Sequence, residues 1–246
     1  MNQTIETMKD HRSIRSYLDK DVSAEIIDNL IEVAQAAPTS INGQHPSIIV
    51  VRDKERKEKV AELAGGQPWI AEAPVFFLFV GDFYKAKLAA DKVDKELVIT
   101  DSVESSLVAA VDIGLAMQNV ITAAESLGLG IVPIGGIRRN PQEMIELFNL
   151  PEYAYPMVGL VIGHPADKSK KKPRMPKEAF RHDEEYNKEK LPALIDDYDQ
   201  EMAAYLKEIG REQEKNWTSY IMEFYNQVYF PKVYPTMKEQ GFKNEK

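Results

Sequence analysis

The 246-residue chain contains no cysteine. Disulfides, thiolate nucleophiles, iron–sulfur clusters and cysteine-based zinc sites are excluded together, so any redox chemistry has to come from a bound cofactor. Histidine is scarce: the four, His11, His45, His164 and His182, have no metal-ligand neighbour at helical spacing, and no metal site is expected. His182-Asp183-Glu184-Glu185 reads as an exposed acidic loop. There is no Gly-x-Ser-x-Gly elbow and no Gly-Lys-Ser/Thr phosphate loop. Gly128-Leu129-Gly130-Ile131-Val132-Pro133 fails as a dinucleotide fingerprint, because Pro133 takes the third glycine position and the glycines follow a helical stretch. Positive charge is the minority sign, 31 Lys+Arg against 39 Asp+Glu for a net charge of −8, which argues against a general nucleic-acid binder. The stretch Met1–Glu6 has no signal-peptide apolar core, and a cytoplasmic protein is expected.

The composition, 43% hydrophobic and 9% aromatic, is that of a chain that buries a sizeable core. Ser47–Val51, Pro74–Val80 and Pro156–Ile162 are continuously apolar, the pattern of strands covered on both faces, and Gly130–Ile134 is a shorter strand. Helices are expected over about 4–10, from an N-cap at Ser23 to before Pro38, from Asp53 to Ala64, and from Asn140 to Leu150 with Asn140 as cap and Pro141 in the first turn. The strongest helix runs from Asp101 to Leu127, with Asp101 and Glu104 placed for a capping box and Gly128 as stop. It is apolar nearly all round, as expected of a helix buried in a core or between subunits; Asp112, Gln118 and Asn119 argue against a membrane span. Residues 83–100 are amphipathic and undetermined. From Leu191 onward helices dominate (Ala193–Lys207, Trp217–Tyr229 and a last piece to about Gly241), with an aromatic stripe of Tyr220, Phe224, Tyr225, Tyr229, Phe230 and Tyr234 that reads as an arm for a partner.

Chemistry concentrates first in His11-Arg12-Ser13-Ile14-Arg15, a dense set of cations and a hydroxyl able to surround a phosphate. Four other stretches accompany it: Pro38-Thr39-Ser40-Ile41-Asn42-Gly43-Gln44, Gly65-Gly66-Gln67-Pro68-Trp69, Ile134-Gly135-Gly136 and Lys172-Pro173-Arg174. Each alone reads as turn chemistry or a solvated basic loop.

In this order and spacing, over nearly the whole chain, the set resembles the flavin-dependent nitroreductase family, and within it the branch of NAD(P)H-dependent FMN oxidoreductases (flavin reductases and oxygen-insensitive nitroreductases). The resemblance implies an α+β fold with a mainly antiparallel central sheet sandwiched by helices, in an intertwined homodimer with two FMN sites at the subunit interface. It implies residues 1–190 as the FMN-binding core and 191–246 as a helical arm packing on the core and the partner. His11, Arg12, Ser13, Ile14 and Arg15 become flavin ligands, His11 and Ser13 towards the phosphate and Arg15 at the pyrimidine edge. Thr39, Ser40 and Asn42 reach the FMN of the other subunit. Gln67 bonds the ring, Pro68 and Trp69 shape its edge, and Pro133, Ile134, Gly135 and Gly136 run beside it, the glycines permitting close backbone approach. Lys172, Pro173 and Arg174 complete the phosphate clamp.

No side chain is expected to act as acid, base or nucleophile: NADPH or NADH gives hydride to FMN, and free flavin, a nitroaromatic or a quinone takes the electrons. Arg211 and Lys215 could meet a 2′-phosphate, but Glu208, Glu212 and Glu214 oppose it, so both nucleotides are expected to serve. A flavin carrier or sensor without nicotinamide turnover is the alternative; a flavin-free interaction protein built on the apolar helix is a third reading.

Overall fold

A computed structural model describes residues 2–246. Its elements run α1 (Gln3–Lys9), α2 (Ala24–Gln35), β1 (Pro46–Val51), α3 (Lys54–Leu63), α4 (Pro68–Glu72), β2 (Val75–Asp82), α5 (Tyr84–Lys92), α6 (Val103–Ser126), β3 (Gly130–Ile134), α7 (Pro141–Phe148), β4 (Ala154–Gly163), α8 (Lys177–Phe180), α9 (Leu191–Glu208), α10 (Trp217–Tyr225) and α11 (Val233–Glu239). The strands form one antiparallel sheet in the order β1-β2-β4-β3.

The continuous apolar strands are explained by what lies on each side of β2. Val75, Phe77 and Phe79 face one way and join Leu30 of α2 with Ile113 and Val120 of α6. Phe76, Leu78 and Val80 face the other way, onto Val60 of α3, Ile70 of α4 and Met144 of α7. Alternate side chains of a strand point to opposite faces, so a strand roofed on both needs no polar positions. The expected α+β class and helix-covered antiparallel sheet are what is found.

Local chemistry explains several helix ends. Ser23 caps α2 by accepting from the Ile26 amide, and Asp53 caps α3 by accepting from the Arg56 amide at 2.8 Å. Two expected caps do not form. The turn Ile99–Asp101 is a separate 3₁₀ element, and Ser102 caps α6 instead; Asp101 is taken by Lys243 and Lys246, each with Nζ 2.9 Å from a carboxylate oxygen. Asn140 precedes α7 but makes no cap, because its amide donates to the Leu63 carbonyl at 2.9 Å and its oxygen accepts from Lys232 at 2.9 Å. The helix expected over 217–229 ends at Tyr225, and residues 84–92 of the undetermined stretch are helical.

Helix α6 is long and apolar enough to resemble a membrane span. Its buried side instead joins the core cluster of α2 and the sheet, and it carries the buried Asp112. On the other side Val103, Leu107, Val111 and Leu115, four residues apart in turn, are 41–60% exposed.

Contacts divide the chain into two compact units: the chain up to Ser169 together with Phe230–Lys246, and Lys170–Tyr229. The division falls at 169/170 rather than 190/191, and the final segment returns to the first unit. The reason is packing: Met237 and Phe242 are buried in a cluster with Phe83, Ala109, Ile145 and Tyr155, Phe242 lying edge-on to Phe83 at 5.8 Å between centroids. The second unit has its own small core of Tyr198, Met202 and Leu206, with Met175 and Trp217 against it.

Phe242→Ala is expected to lower unfolding stability by about 3–5 kcal/mol, as removal of a buried aromatic does. Urea denaturation measures it; a loss under about 1 kcal/mol would show that the C-terminal segment is not part of this core.

Candidate functional site

Strand β3 is an edge strand, and the segment of cations lies along its open side. Ser13 bridges Ile131 in parallel, and the Ile14 amide donates to the Ile131 carbonyl at 2.9 Å. The Ile14 side chain is buried against Gly130, where an added Cβ would stand 2.7 Å from it. Further on, the Tyr17 hydroxyl donates to the Ile14 carbonyl at 2.8 Å, and Leu18 N–H donates to the His164 carbonyl at 2.9 Å. Burial raises the Tyr17 phenol well above its ordinary pKa, an effect larger than the opposing pull of Arg15; the hydroxyl stays protonated and keeps donating.

From this anchor Arg15 projects over the indole of Trp69, its guanidinium carbon 5.7 Å from the ring centroid. Such stacking stabilises by about 0.5–1 kcal/mol at an exposed position and orients the cation. Trp69 and Pro68 belong to α4, which Gln67 precedes. The Gln67 amide donates to the Ala64 carbonyl at 2.9 Å. Gly65 and Gly66, at φ of 95° and 77°, make the reversal between α3 and α4, a conformation glycine adopts without strain. Against this turn lies the 3₁₀ segment Gly135–Arg139 that follows Pro133 and Ile134. A Cβ on Gly136 would sit 2.5 Å from the Ala64 carbonyl oxygen and 2.6 Å from Gln67 Nε2. Arg15, Gln67, Pro68, Trp69 and Pro133–Gly136 are thereby one contiguous cluster.

His11 and Arg12 stand beside it with carboxylate partners of their own. His11 Nδ1 is 2.7 Å from Glu125 Oε1, and Arg12 pairs with Asp10 at 2.5 Å. Arg12, Ile14 and Glu125 line a cavity of about 220 Å³ with Gly128 and Lys168. A groove of about 720 Å³ between Tyr17, Lys57 and Glu72 is lined by none of the residues expected to bind the cofactor.

Thr39, Ser40 and Asn42 are elsewhere. Their loop leads into β1, the opposite edge of the sheet from β3, and borders a cavity of about 420 Å³ lined also by Ile31, Ile48 and Ala116. Ile41, Asn42 and Gln44 all have positive φ, 49°, 58° and 54°. Asparagine tolerates this; for a β-branched residue it costs roughly 1–2 kcal/mol. The loop is held from within by Thr39 Oγ1 accepting from the Gln44 amide at 3.3 Å, and from below by Asp112, whose two oxygens each accept from the Ser40 amide at 3.2 Å. His45 Nδ1 lies 3.0 Å from Asp112 Oδ2.

Lys172, Pro173 and Arg174 belong to the second unit. Arg174 donates to the Lys172 carbonyl at 3.0 Å, Tyr198 of α9 donates to the Pro173 carbonyl at 3.0 Å, and Lys172 Nζ lies 5.9 Å from the Tyr220 ring centre. In the same unit Arg211 is bridged to Glu214, and Lys170 to Glu208.

The family model described as "Nitroreductase family" matches residues 8–164, and that described as "Nitroreductase family, C-terminal domain" matches 172–245. The chain belongs to the nitroreductase family. An FMN reductase [NAD(P)H] of Bacillus subtilis is 52% identical over the full length of both chains. An oxygen-insensitive NADPH nitroreductase of Salmonella typhimurium is 35% identical, covering 98% of this chain and 99% of its own. Among solved structures, an NADPH:FMN oxidoreductase from Vibrio harveyi complexed with NAD+ superposes with a TM-score of 0.89 at 32% identity, over 98% of this chain and 99% of that one.

The cluster on the β3 edge fits the flavin cofactor of this nitroreductase-family chain on its own chemistry. Arg15 supplies a cation, and Gly136 leaves no space for a side chain beside the Ala64 carbonyl. Tyr17, Ala64, Glu125, His45 and Asp112 hold these groups without standing in any of the expected binding motifs. Only Asp112 had a visible signal, as a charge inside an apolar run.

Gly136→Ala sets a methyl against a backbone carbonyl and is expected to lower stability by about 1–3 kcal/mol. Unchanged melting and denaturant midpoints would show that the Gly136–Ala64 approach is not tight.

Proposed function

We propose that the chain is an FMN-dependent oxidoreductase that takes hydride from NADPH or NADH and passes electrons to free flavin, nitroaromatics or quinones. The observation that carries this reading is the contiguous cluster of Arg15, Trp69, Gln67 and Gly136 on the β3 edge. The activities named for relatives at 52% and 35% identity support it.

Bound FMN supplies the two-electron chemistry, accepting hydride from the nicotinamide and releasing electrons to the second substrate. The protein binds, orients and tunes. Arg15 brings positive charge to the pyrimidine edge, which favours hydride uptake; its stacking on Trp69 holds the guanidinium in place. Gln67 and the amides of Gly135 and Gly136 offer polar contacts along the ring, and Pro68 and Pro133 stiffen the walls. Arg12, Ser13 and His11 face the phosphate end, an anion there competing with Asp10 and Glu125 for their donors. Lys172 and Arg174 are assigned to phosphate by chemistry alone, as a pair of cations around a proline. No side chain has to move a proton for the hydride step.

The chain is proposed to act as a homodimer. Thr39, Ser40 and Asn42 lie on the sheet edge opposite the cluster, so they complete a site on a second copy rather than their own. The exposed stripe Val103, Leu107, Val111 and Leu115 on α6 and the exposed Tyr220, Phe224, Tyr225 and Tyr229 are apolar surface for that partner. Of the arm expected over 191–246, residues 191–229 carry the latter and are proposed as the arm, since Phe230–Lys246 belongs to the first unit.

The first test is a visible spectrum of the purified protein before and after anaerobic NADPH or NADH. A flavin band that bleaches with either donor is expected; a band that survives both would sink the oxidoreductase reading. Arg15→Ala is expected to lose bound FMN on desalting and to bleach at least tenfold more slowly, and full retention at full rate would remove Arg15 from the site.

Nucleotide preference is expected to be mild, since Arg211 is occupied by Glu214. The ratio of kcat/KM for NADPH over NADH measures this. A large ratio that disappears in Arg211→Ala would show that the arginine leaves Glu214 to meet a 2′-phosphate.

A further inference from the structure

The loop of Thr39, Ser40 and Asn42 is the one part of the proposed site whose shape is both strained and remote from the cations of its own chain. Three of its residues that are not glycine sit at positive φ. Ile41, at the crest, is 95% exposed, so no packing of its own side chain holds it there. Inside the loop the Asn42 amide donates to the Thr39 carbonyl at 3.1 Å and the Gly43 amide to the Ser40 carbonyl at 2.7 Å. These bonds close the turn but leave it free to move as a body.

What ties the loop to the protein is Asp112. It is 2% exposed, its two oxygens each accept from the Ser40 amide, and Oδ2 also faces His45 Nδ1. His45 is 7% exposed, with its ring 4.4 Å from that of Phe83. It also fills the space beside Gly43, where a Cβ would stand 2.3 Å from the imidazole. Hydrogen bonds to a buried carboxylate are strong, and removing one partner leaves the others unsatisfied. Asp112 lies on α6, the helix whose opposite side carries the exposed Val103–Leu115 stripe.

We propose that Asp112 is a positioning residue for the cofactor: with His45 it fixes the 39–44 loop in the strained form that contacts the FMN of the partner subunit. It touches neither flavin nor substrate. Because the clamp and the apolar stripe share one rigid helix, pairing of two copies brings each loop to its partner's site already shaped. This rests on the FMN and dimer readings above.

The test compares wild type, Asp112→Ala and Asp112→Asn by FMN titration of the flavin-stripped dimer and by amide hydrogen exchange. Asparagine keeps one oxygen for the Ser40 amide; alanine keeps none. The expected result is an FMN dissociation constant raised tenfold or more in Asp112→Ala and recovered to within about threefold in Asp112→Asn. Ser40 and Asn42 amides are expected to exchange faster in the alanine variant alone, before FMN is added. Wild-type FMN binding with an unchanged dissociation constant in Asp112→Ala would overturn the positioning role and leave the FMN reading standing. Absence of FMN binding in the wild type would overturn the FMN reading and this proposal with it. Should Asp112→Ala not fold, exchange in the FMN-free wild type decides: protection of Ser40 well above that of Gln44 supports the clamp, and equal exchange overturns it.

Discussion

The hydrogen bond from the Ile14 amide to the Ile131 carbonyl determines where the cations of this protein stand. A run such as His11–Arg15 in a net-acidic chain would otherwise be a solvated turn. Pairing with the free side of β3, with Ile14 buried against Gly130, turns it into part of the sheet. The side chains on either side of Ile14 then have defined directions, and Arg15 is laid on Trp69. The indole is in turn placed by the turn at Gly65 and Gly66, whose positive φ values let α4 start immediately after α3. The proposed binding site, assembled from strand edge, turn and helix start, is stiff because each part is also part of the fold.

On the dimer reading proposed above, the same sheet keeps the two halves of the site apart within one chain. Its interior strands β2 and β4 are roofed on both faces, so ligand-facing polar groups are confined to its margins. The cations occupy the β3 margin and the hydroxyl–amide loop the β1 margin. Two margins of one four-stranded sheet do not converge, whereas margins of two copies related by a two-fold axis can. The exposed apolar stripe on α6 is what the proposed dimer would cover, while the helix's other side joins the core cluster of α2 and the sheet.

Much of this was legible in the sequence where the cause is local. Strands covered on both faces announce themselves as unbroken apolar runs, and Ser23 and Asp53 cap the helices that follow them. The misses share a different cause. Asp101 and Asn140 have the right spacing to cap, but lysines and a carbonyl brought in by the tertiary fold compete for the same atoms. The return of Met237 and Phe242 to the first core depends on aromatic partners more than eighty residues away in sequence, and no local pattern encodes it. The clamp on the 39–44 loop spans 72 residues from Ser40 to Asp112; an acid inside an apolar helix hinted that a partner existed, without saying which.

Asp112 also shows why burying a charge in α6 is consistent with a stable fold. A carboxylate enclosed by Val and Ala alone would be strongly destabilising, but each of its oxygens has a donor. Replacing the whole group by an apolar residue of similar size could leave the helix packed as well as before, so stability by itself gives little reason for an acid here. The reason lies on the other side of the bonds: three positions in left-handed backbone, one of them an exposed isoleucine, do not hold themselves. The helix uses a charge where packing would accept none, and the structure that depends on that charge is the loop, not the core.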